Sequence, residues 1–441
     1  MNKTGYGKGL TVKRKCVYVL CLLIFCRILS GIPTPFVNRE YVKGILDSNG
    51  AFGIMNMLTG NSLSSLSIMA LGITPYITAS IVIQLLGVAF PKIDEMNRGM
   101  ADDRKKMDRI MIAVGCGFSA LQGIAMCVGF GRSNVIASDK WYAFMLIILI
   151  WTAGTFLEIM IGMFITKNLI GNGVSLILLA NILSSYPSDA YSLFQLIFAK
   201  GKTTAAMMAA VAVIAVVVAM FAFTVFVEGC EKRIPVYYTR KVGGYNSPMT
   251  GSYIPIKLCP GGVIPVIFAS SLFSMPGIIA QIAGKSNMAW LRFFDTTCWF
   301  NSAFKPYYSF GALVYIFMIF GFSYYYVGIE LNPVQTSIDI KKAGGVIPGV
   351  RQGKDTSNYL RKNMKYTVFI GAAALALIAM IPIVLGGLFS VPRVAFLGTS
   401  IIIACGVILE TKKAVMAEYK GENRRSRKRG GIINGKKRNR Y

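Results

Sequence analysis

The sequence predicts an all-α polytopic membrane protein, with ten transmembrane helices in two inverted-repeat halves of five. Three observations carry that expectation. Apolar stretches of about 20 residues, the length that crosses a bilayer core, recur along all 441 residues, and the chain has a mean hydropathy of +0.55 with 54% hydrophobic residues. The cations follow the connections. With the N-terminus inside, the inner tails and loops hold 35 of the 47 Lys and Arg, and the outer connections hold 10, the asymmetry described by the positive-inside rule. A Gly/Pro-marked motif at the start of the second span also returns at the start of the seventh.

In order, the spans are expected at 16–36, 73–90, 107–130, 142–166, 173–197, 204–228, 263–283, 307–329, 364–386 and 393–411. The first lacks a small-residue cleavage site and is followed by further spans, so it reads as a retained helix. The fifth is interrupted by Pro187, Ser188 and Asp189. The domain layout follows: a basic cytoplasmic N-terminus (1–15), an N-terminal half (16–200), a C-terminal half (201–411) and a basic cytoplasmic tail (412–441). The C-terminal half carries two long cytoplasmic loops, 229–262 and 330–365. Both termini are expected on the cytoplasmic side of the membrane.

Most of the formal charge of +28 is accounted for by topology and does not call for a nucleic-acid partner. The run RRSRKRGGIINGKKRNR (424–440) exceeds what orientation needs and reads as a disordered basic tail suited to anionic lipid or RNA phosphates. The nine cysteines form no C-x-x-C pair, and there is no histidine, which removes the commonest acid–base catalyst and metal ligand. Gly201-Lys202-Thr203 ends like a phosphate-binding loop, but Leu196 stands where that loop needs glycine. Only Glu158 lies well inside a span, and a structural hydrogen bond accounts for one such acid. No enzyme activity, cofactor or metal is expected, so energy for any work must come from a partner.

The internal echo pairs GITPYITAS (72–80) with GVIPVIFAS (262–270): Gly72, Pro75, Ile77, Ala79 and Ser80 recur as Gly262, Pro265, Ile267, Ala269 and Ser270. Five spans separate the copies, so the second half enters the membrane from the opposite side. Paired Gly/Pro-marked segments of that kind mark the working site of inverted-repeat proteins.

Long, ordered motifs then identify a family. FCRILSGIPTPF, MNMLTGNSLSSLSIMALGITPYITASIVIQLL, IGNGVSLILL, EKRIPV, PGGVIPVIFASS, ELNPVQTSIDIKKAGGVIPGVRQGKDT and FLGTSIII together span essentially the whole chain. They resemble the SecY family, the central subunits of the bacterial protein-conducting channel. The resemblance implies two five-helix halves around an hourglass pore whose waist is an aliphatic ring, here Ile73, Ile77, Val174, Leu178, Ile267 and Ile403. Such a ring closes by dewetting and needs no charged gate, although helix packing is the alternative role for each member. The resemblance also implies a plug at about 53–69, a small helix carrying Met55, Met57, Leu58, Leu63 and Leu66. The lateral gate would run between spans two and seven, with Thr78, Gln84, Gln122, Ser270 and Ser271 as polar contacts; satisfaction within the bundle is the alternative for these.

The two cytoplasmic loops would dock the ribosome or the SecA motor ATPase through Lys232, Arg233, Arg240, Lys241, Lys341, Lys342, Arg351 and Lys354. Further implied partners are SecE-like and SecG-like subunits, unfolded secretory and membrane-protein clients, and membrane lipid. The chain departs from the family pattern around Met160, Gly162, Met163, Lys167 and Leu169, where W-x-G-E and nearby Glu and Gly are usual. The competing function is an inverted-repeat secondary transporter, which would share the echoed motifs.

Overall fold

The computed structural model describes residues 11–37, 56, 58–90, 92–93, 96, 101–131, 141–198, 203–238, 241–242, 245–246, 250–282, 289–294, 299–300, 306–330, 332–388 and 397–438. Helices dominate: α1 (Val12–Leu29), α2 (Thr74–Ala89), α3 (Ala101–Gly131), α4 (Trp141–Asn168), α5 (Gly173–Phe198), α6 (Thr203–Gly229), α7 (Ile264–Ile282), α8 (Phe310–Glu330), α9 (Pro333–Lys342), α10 (Lys354–Leu388) and α11 (Leu397–Arg438). Among the described residues, four helices are long and apolar enough to cross a membrane: Lys105–Val128 in α3, all of α4, Phe310–Lys342 beginning with α8, and Lys354–Gly387 in α10. Thr74–Gly87, Gly173–Pro187, Ala215–Gly229 and Ile264–Gly277 are apolar but shorter. Gly72 and Gly262, both with positive φ, precede the starts of α2 and α7, and α5 runs through Pro187.

The chain divides into two compact units. The first takes in residues up to Gln195, Pro276–Met288, and the chain from Val407 onward. Here α3 lies between α2 and α4, and small residues set the spacing: Gly115 faces Tyr76, and Gly123 faces Ile148. Ser119 Oγ donates to Thr155 Oγ1 at 3.0 Å across the buried α3–α4 contact. Leu63, Leu66, Ala70 and Leu71 pack with Met126, Cys127, Ile147 and Trp151 into one core, and Trp151 Nε1 donates to Thr34 Oγ1 at 3.0 Å. The α4–α5 turn is tight, because Thr166 Oγ1 donates to the Gly162 carbonyl and accepts from Gly173 N, both at 2.8 Å. Lys167, one of the departures from the family pattern, pairs with Asp108 at 2.8 Å. At the start of α1, Lys15 is 3% exposed and pairs with Glu418 of α11 at 2.7 Å, while Val12 N donates to Glu422 Oε2 at 3.3 Å.

The second unit, Leu196–Met275 with Ala289–Gly406, contains the long connections. Loop 229–262 is a β-hairpin in which β1 (Glu231–Tyr238) pairs antiparallel with β4 (Thr250–Lys257), from Glu231 opposite Lys257 to Tyr238 opposite Thr250. Between them sit the short strands β2 (Lys241–Val242) and β3 (Tyr245–Asn246), and β5 (Gly345–Val346) pairs with the other edge of β1. Ile234, Val236, Ile256, Ile340, Ile347, Leu360, Met364, Val327 and Val368 bury together. The two connections therefore form one platform with its own core. Asn332 caps α9, accepting from Val334 N (3.1 Å) and Gln335 N (3.3 Å), with Pro333 in the first turn where its missing N–H costs nothing.

One expectation is corrected. The basic tail is helical: α11 continues to Arg438, because nothing from Thr411 onward is a proline and Ala, Glu, Lys and Arg are good helix formers. In the expected plug at 53–69, Asn56 and Leu58 are helical and 59–66 run in turns, while 53–55 and 57 lie outside the described residues. Gly60, Asn61 and Leu66 adopt positive φ, and the Asn56, Thr59, Ser64 and Ser65 side chains bond the local backbone. Such side-chain bonds compete with a helical ladder.

Candidate functional site

The two echoed motifs build the same local structure. Gly72 and Gly262 have φ of +56° and +55°, the left-handed region glycine enters without penalty. Each N–H closes a turn at 3.0 Å, Gly72 on Met69 O and Gly262 on Cys259 O. Each helix begins two residues later, with Pro75 and Pro265 in its first turn. The next bonds also match: Ile77 N to Ile73 O and Ile267 N to Val263 O are both 3.2 Å, and Ser80 Oγ to Ile77 O (2.8 Å) mirrors Ser270 Oγ to Ile267 O (2.9 Å). Within each unit, the motif therefore breaks the chain and aims the next turn in one fixed way.

Of the expected ring residues, Ile73, Ile77, Leu178, Ile267 and Ile403 are buried. Val174 is half-buried and sets a methyl against Gly162 of α4, where an added Cβ would come within 3.3 Å of it. In the second unit, Ile403 belongs to a buried run, Ile401 to Cys405, and the next residue, Gly406, has no room for a Cβ beside the Val263 side chain.

For the expected plug, Leu58, Leu63 and Leu66 are buried, whereas Met55 and Met57 lie outside the described residues. The segment is fastened to the preceding loop, with Thr34 N donating to Leu66 O and Ile68 N to Ile32 O, each at 3.0 Å. It also meets Arg27, Asn181 and Ser184, which the sequence reading did not single out. The available signal was an arginine inside a predicted span.

The expected gate residues are placed as follows. Thr78 Oγ1 donates to Thr74 O at 3.2 Å and Ser270 Oγ to Ile267 O, each inside its own helix. Gln122 is buried with Oε1 lacking a hydrogen-bond partner. Gln84 and Ser271 are half-buried, and both are engaged.

Lys232, Arg233, Lys341 and Lys342 of the platform are exposed. Lys341 and Lys342 close the last turn of α9, a favourable place for cations, and Arg351 and Lys354 are exposed. Lys232 Nζ donates to Asn363 Oδ1 at 2.7 Å, and Arg233 is held by Glu231 at 3.0 Å and by the Tyr253 ring at 4.9 Å. Lys241 lies on β2; Arg240 lies outside the described residues. Arg351 rides a loop between the left-handed glycines Gly349 and Gly353, pinned by Thr356 Oγ1 donating to Arg351 O and Ser337 Oγ donating to Gly353 O, both at 2.7 Å. Ser337→Ala is expected to cost about 1 kcal/mol and to speed amide exchange across 347–353; unchanged exchange would mean the bond does not hold the loop.

The SecY family model matches residues 67–412. The protein translocase subunit SecY of Streptomyces scabiei is 33% identical over 429 residues, covering 93% of this chain and 96% of its own. That of Halalkalibacterium halodurans is 33% identical over 427 residues, with the same coverage. Two solved structures share the fold over 95% of both chains at 17% identity: a SecY whose plug domain stabilises the closed translocation channel (TM-score 0.66), and Sec61 from the canine ribosome-channel complex (TM-score 0.63). The family-model match and the identity to translocase subunits, sustained over almost the full length of both chains, place this chain in the SecY family.

Proposed function

We propose that the chain is the channel subunit of a bacterial protein translocase, passing unfolded secretory proteins across the plasma membrane and releasing membrane segments sideways into lipid. One observation carries the reading: the likeness to SecY translocase subunits extends over 93% of the chain, so it concerns the whole channel subunit and not one motif. Ten spans with both termini cytoplasmic fit the cation distribution. Ile73, Ile77, Val174, Leu178, Ile267 and Ile403 form the pore ring, and the segment at about 53–69 is its plug. The lateral gate lies between α2 and α7, where Thr78, Gln84, Gln122, Ser270 and Ser271 contribute polarity. Hydrogen bonds in membranes average only about 0.6 kcal/mol, so such a seam opens readily for a hydrophobic segment.

The chain is no enzyme. A SecA-like motor or a ribosome drives it, docking on the platform through Lys232, Arg233, Lys241, Lys341, Lys342, Arg351 and Lys354, whose charge suits rRNA phosphates. SecE-like and SecG-like subunits complete the assembly. The test uses a stalled secretory chain carrying a photocrosslinker. It is expected to label Ile77, Leu178, Ile267 and Ile403, and Ile77→Gly with Ile267→Gly to raise resting ion leak. Absence of any label at these positions would overturn the reading.

A further inference from the structure

Arg27 lies inside the first expected span, where a charge is costly unless it is paired and hydrogen-bonded. Its Nη2 donates to the Gly60 carbonyl at 3.0 Å and its Nη1 to Asn181 Oδ1 at 3.2 Å. Ser184 Oγ donates to Asn181 O at 2.9 Å and lies 3.4 Å from the same Gly60 carbonyl. Gly60 has a φ of +67°, and a Cβ there would lie 2.5 Å from Arg27 Nη1 and 2.7 Å from the Asn181 carbonyl oxygen. Only glycine lets this backbone come so close to the guanidinium. Glu158 of α4, 2% exposed, acts electrostatically on Arg27, yet its Oε2 is buried without a hydrogen-bond partner, as is Asn181 Nδ2. All of these residues belong to one compact unit.

We propose that Arg27 is a positioning residue for gating, a latch with two resting places. In the closed channel it holds the Gly60 carbonyl; when the segment leaves, its freed N–H groups pass to Glu158, whose unpartnered oxygen accepts them. This rests on the reading of 53–69 as the plug. The physical need is specific. Withdrawing the Gly60 carbonyl without a replacement would strand a guanidinium in the membrane, and release would then carry the cost of an unsatisfied buried charge. A second acceptor brings the two states close in energy. Arginine suits the exchange because its planar fork carries five donors and can keep the Asn181 bond while swapping the other.

The two-state latch makes Arg27→Gln and Glu158→Gln act in opposite directions. With the full-length chain in proteoliposomes, Arg27→Gln is expected to raise resting chloride efflux about tenfold, the change that follows from losing a hydrogen bond to a charged group. Glu158→Gln is expected to lower efflux and slow translocation of a secretory substrate. Ser184→Ala removes the hydroxyl that bridges Asn181 O and the Gly60 carbonyl, without touching a charge. It is expected to raise efflux about threefold, and it serves even if the charge variants fail to accumulate. A purely structural ion pair would make Arg27→Gln and Glu158→Gln leak together, and that outcome, or unchanged efflux in Ser184→Ala, overturns the latch.

The plug reading is tested separately, with Asn61→Cys and Ser184→Cys joined by a short bis-maleimide in a background lacking the exposed native cysteines. Translocation is expected to stop. Free passage through the tethered channel would overturn the plug reading itself, whereas a block combined with same-direction leaks in Arg27→Gln and Glu158→Gln would overturn only the latch.

Discussion

Gly154→Ala is expected to lower the unfolding midpoint well below that of the parent. Within a helix, Gly→Ala ordinarily stabilises by about 1 kcal/mol, so the sign here is set by what the new methyl meets. A Cβ on Gly154 would run into the Ile68 carbonyl oxygen, with Ile68 C at 3.1 Å and Met69 Sδ at 3.5 Å. That carbonyl cannot retreat freely. Ile68 N is bonded to Ile32 O, Thr34 N to Leu66 O, and Trp151, one turn before Gly154, holds the Thr34 hydroxyl through Nε1. Forcing extra volume into so well-fastened a contact costs about 3 kcal/mol, a large share of a total stability of roughly 5–15 kcal/mol. Gly117→Ala on α3 is the control, because a Cβ there meets nothing within 4 Å. The measurement is thermal unfolding of the detergent-solubilised protein. Gly117→Ala should match or exceed the parent, and equal unfolding of the two variants would refute close packing of the segment on α4.

That contrast shows what was legible in the sequence and what was not. Hydropathy exposes spans because each is a local run of apolar residues, and the Gly/Pro echo is legible because Gly72 and Gly262 impose the same backbone on whatever follows. The turn conformation of 59–66 was hidden. Its leucines suggest a packed helix, while the hydroxyls and amides that bond their own backbone decide otherwise. The platform was hidden for another reason: Ile234, Val236 and Ile256 pack with Ile340, Ile347 and Leu360, residues far along the chain that no local pattern pairs with them. The Arg27–Gly60–Asn181 meeting is likewise non-local, and a lone arginine in a span announces a need for partners without naming them. Val174, assigned by motif, sits against Gly162 because the Thr166 hydroxyl draws the start of α5 tightly onto the end of α4.

Gly72→Val and Gly262→Val are expected to differ in cost although the two glycines share one conformation. A left-handed φ costs a non-glycine residue roughly 1–2 kcal/mol, and a β-branched side chain stands at the upper end because both γ-carbons crowd the backbone. At Gly262 a Cβ meets nothing within 4 Å, so the backbone contribution stands alone, about 2 kcal/mol. At Gly72 a Cβ would lie 3.1 Å from Thr59 Cγ2 and 3.5 Å from Thr59 Cβ. Thr59 is 1% exposed and tied through its hydroxyl to Asn56 O at 3.0 Å, so it yields little, and overpacking raises the cost to about 3–4 kcal/mol. The functional consequence follows the same geometry. Any shift at Gly72 is passed to Ile73 and, through the 3.2 Å bond from Ile77 N to Ile73 O, to the first turn of α2. Gly72→Val should therefore raise resting leak as well as lower the unfolding midpoint. Asparagine tolerates the left-handed region, so Gly262→Asn should recover most of what Gly262→Val loses. If asparagine is as damaging as valine at position 262, the left-handed turn is not what this copy of the motif requires of its glycine.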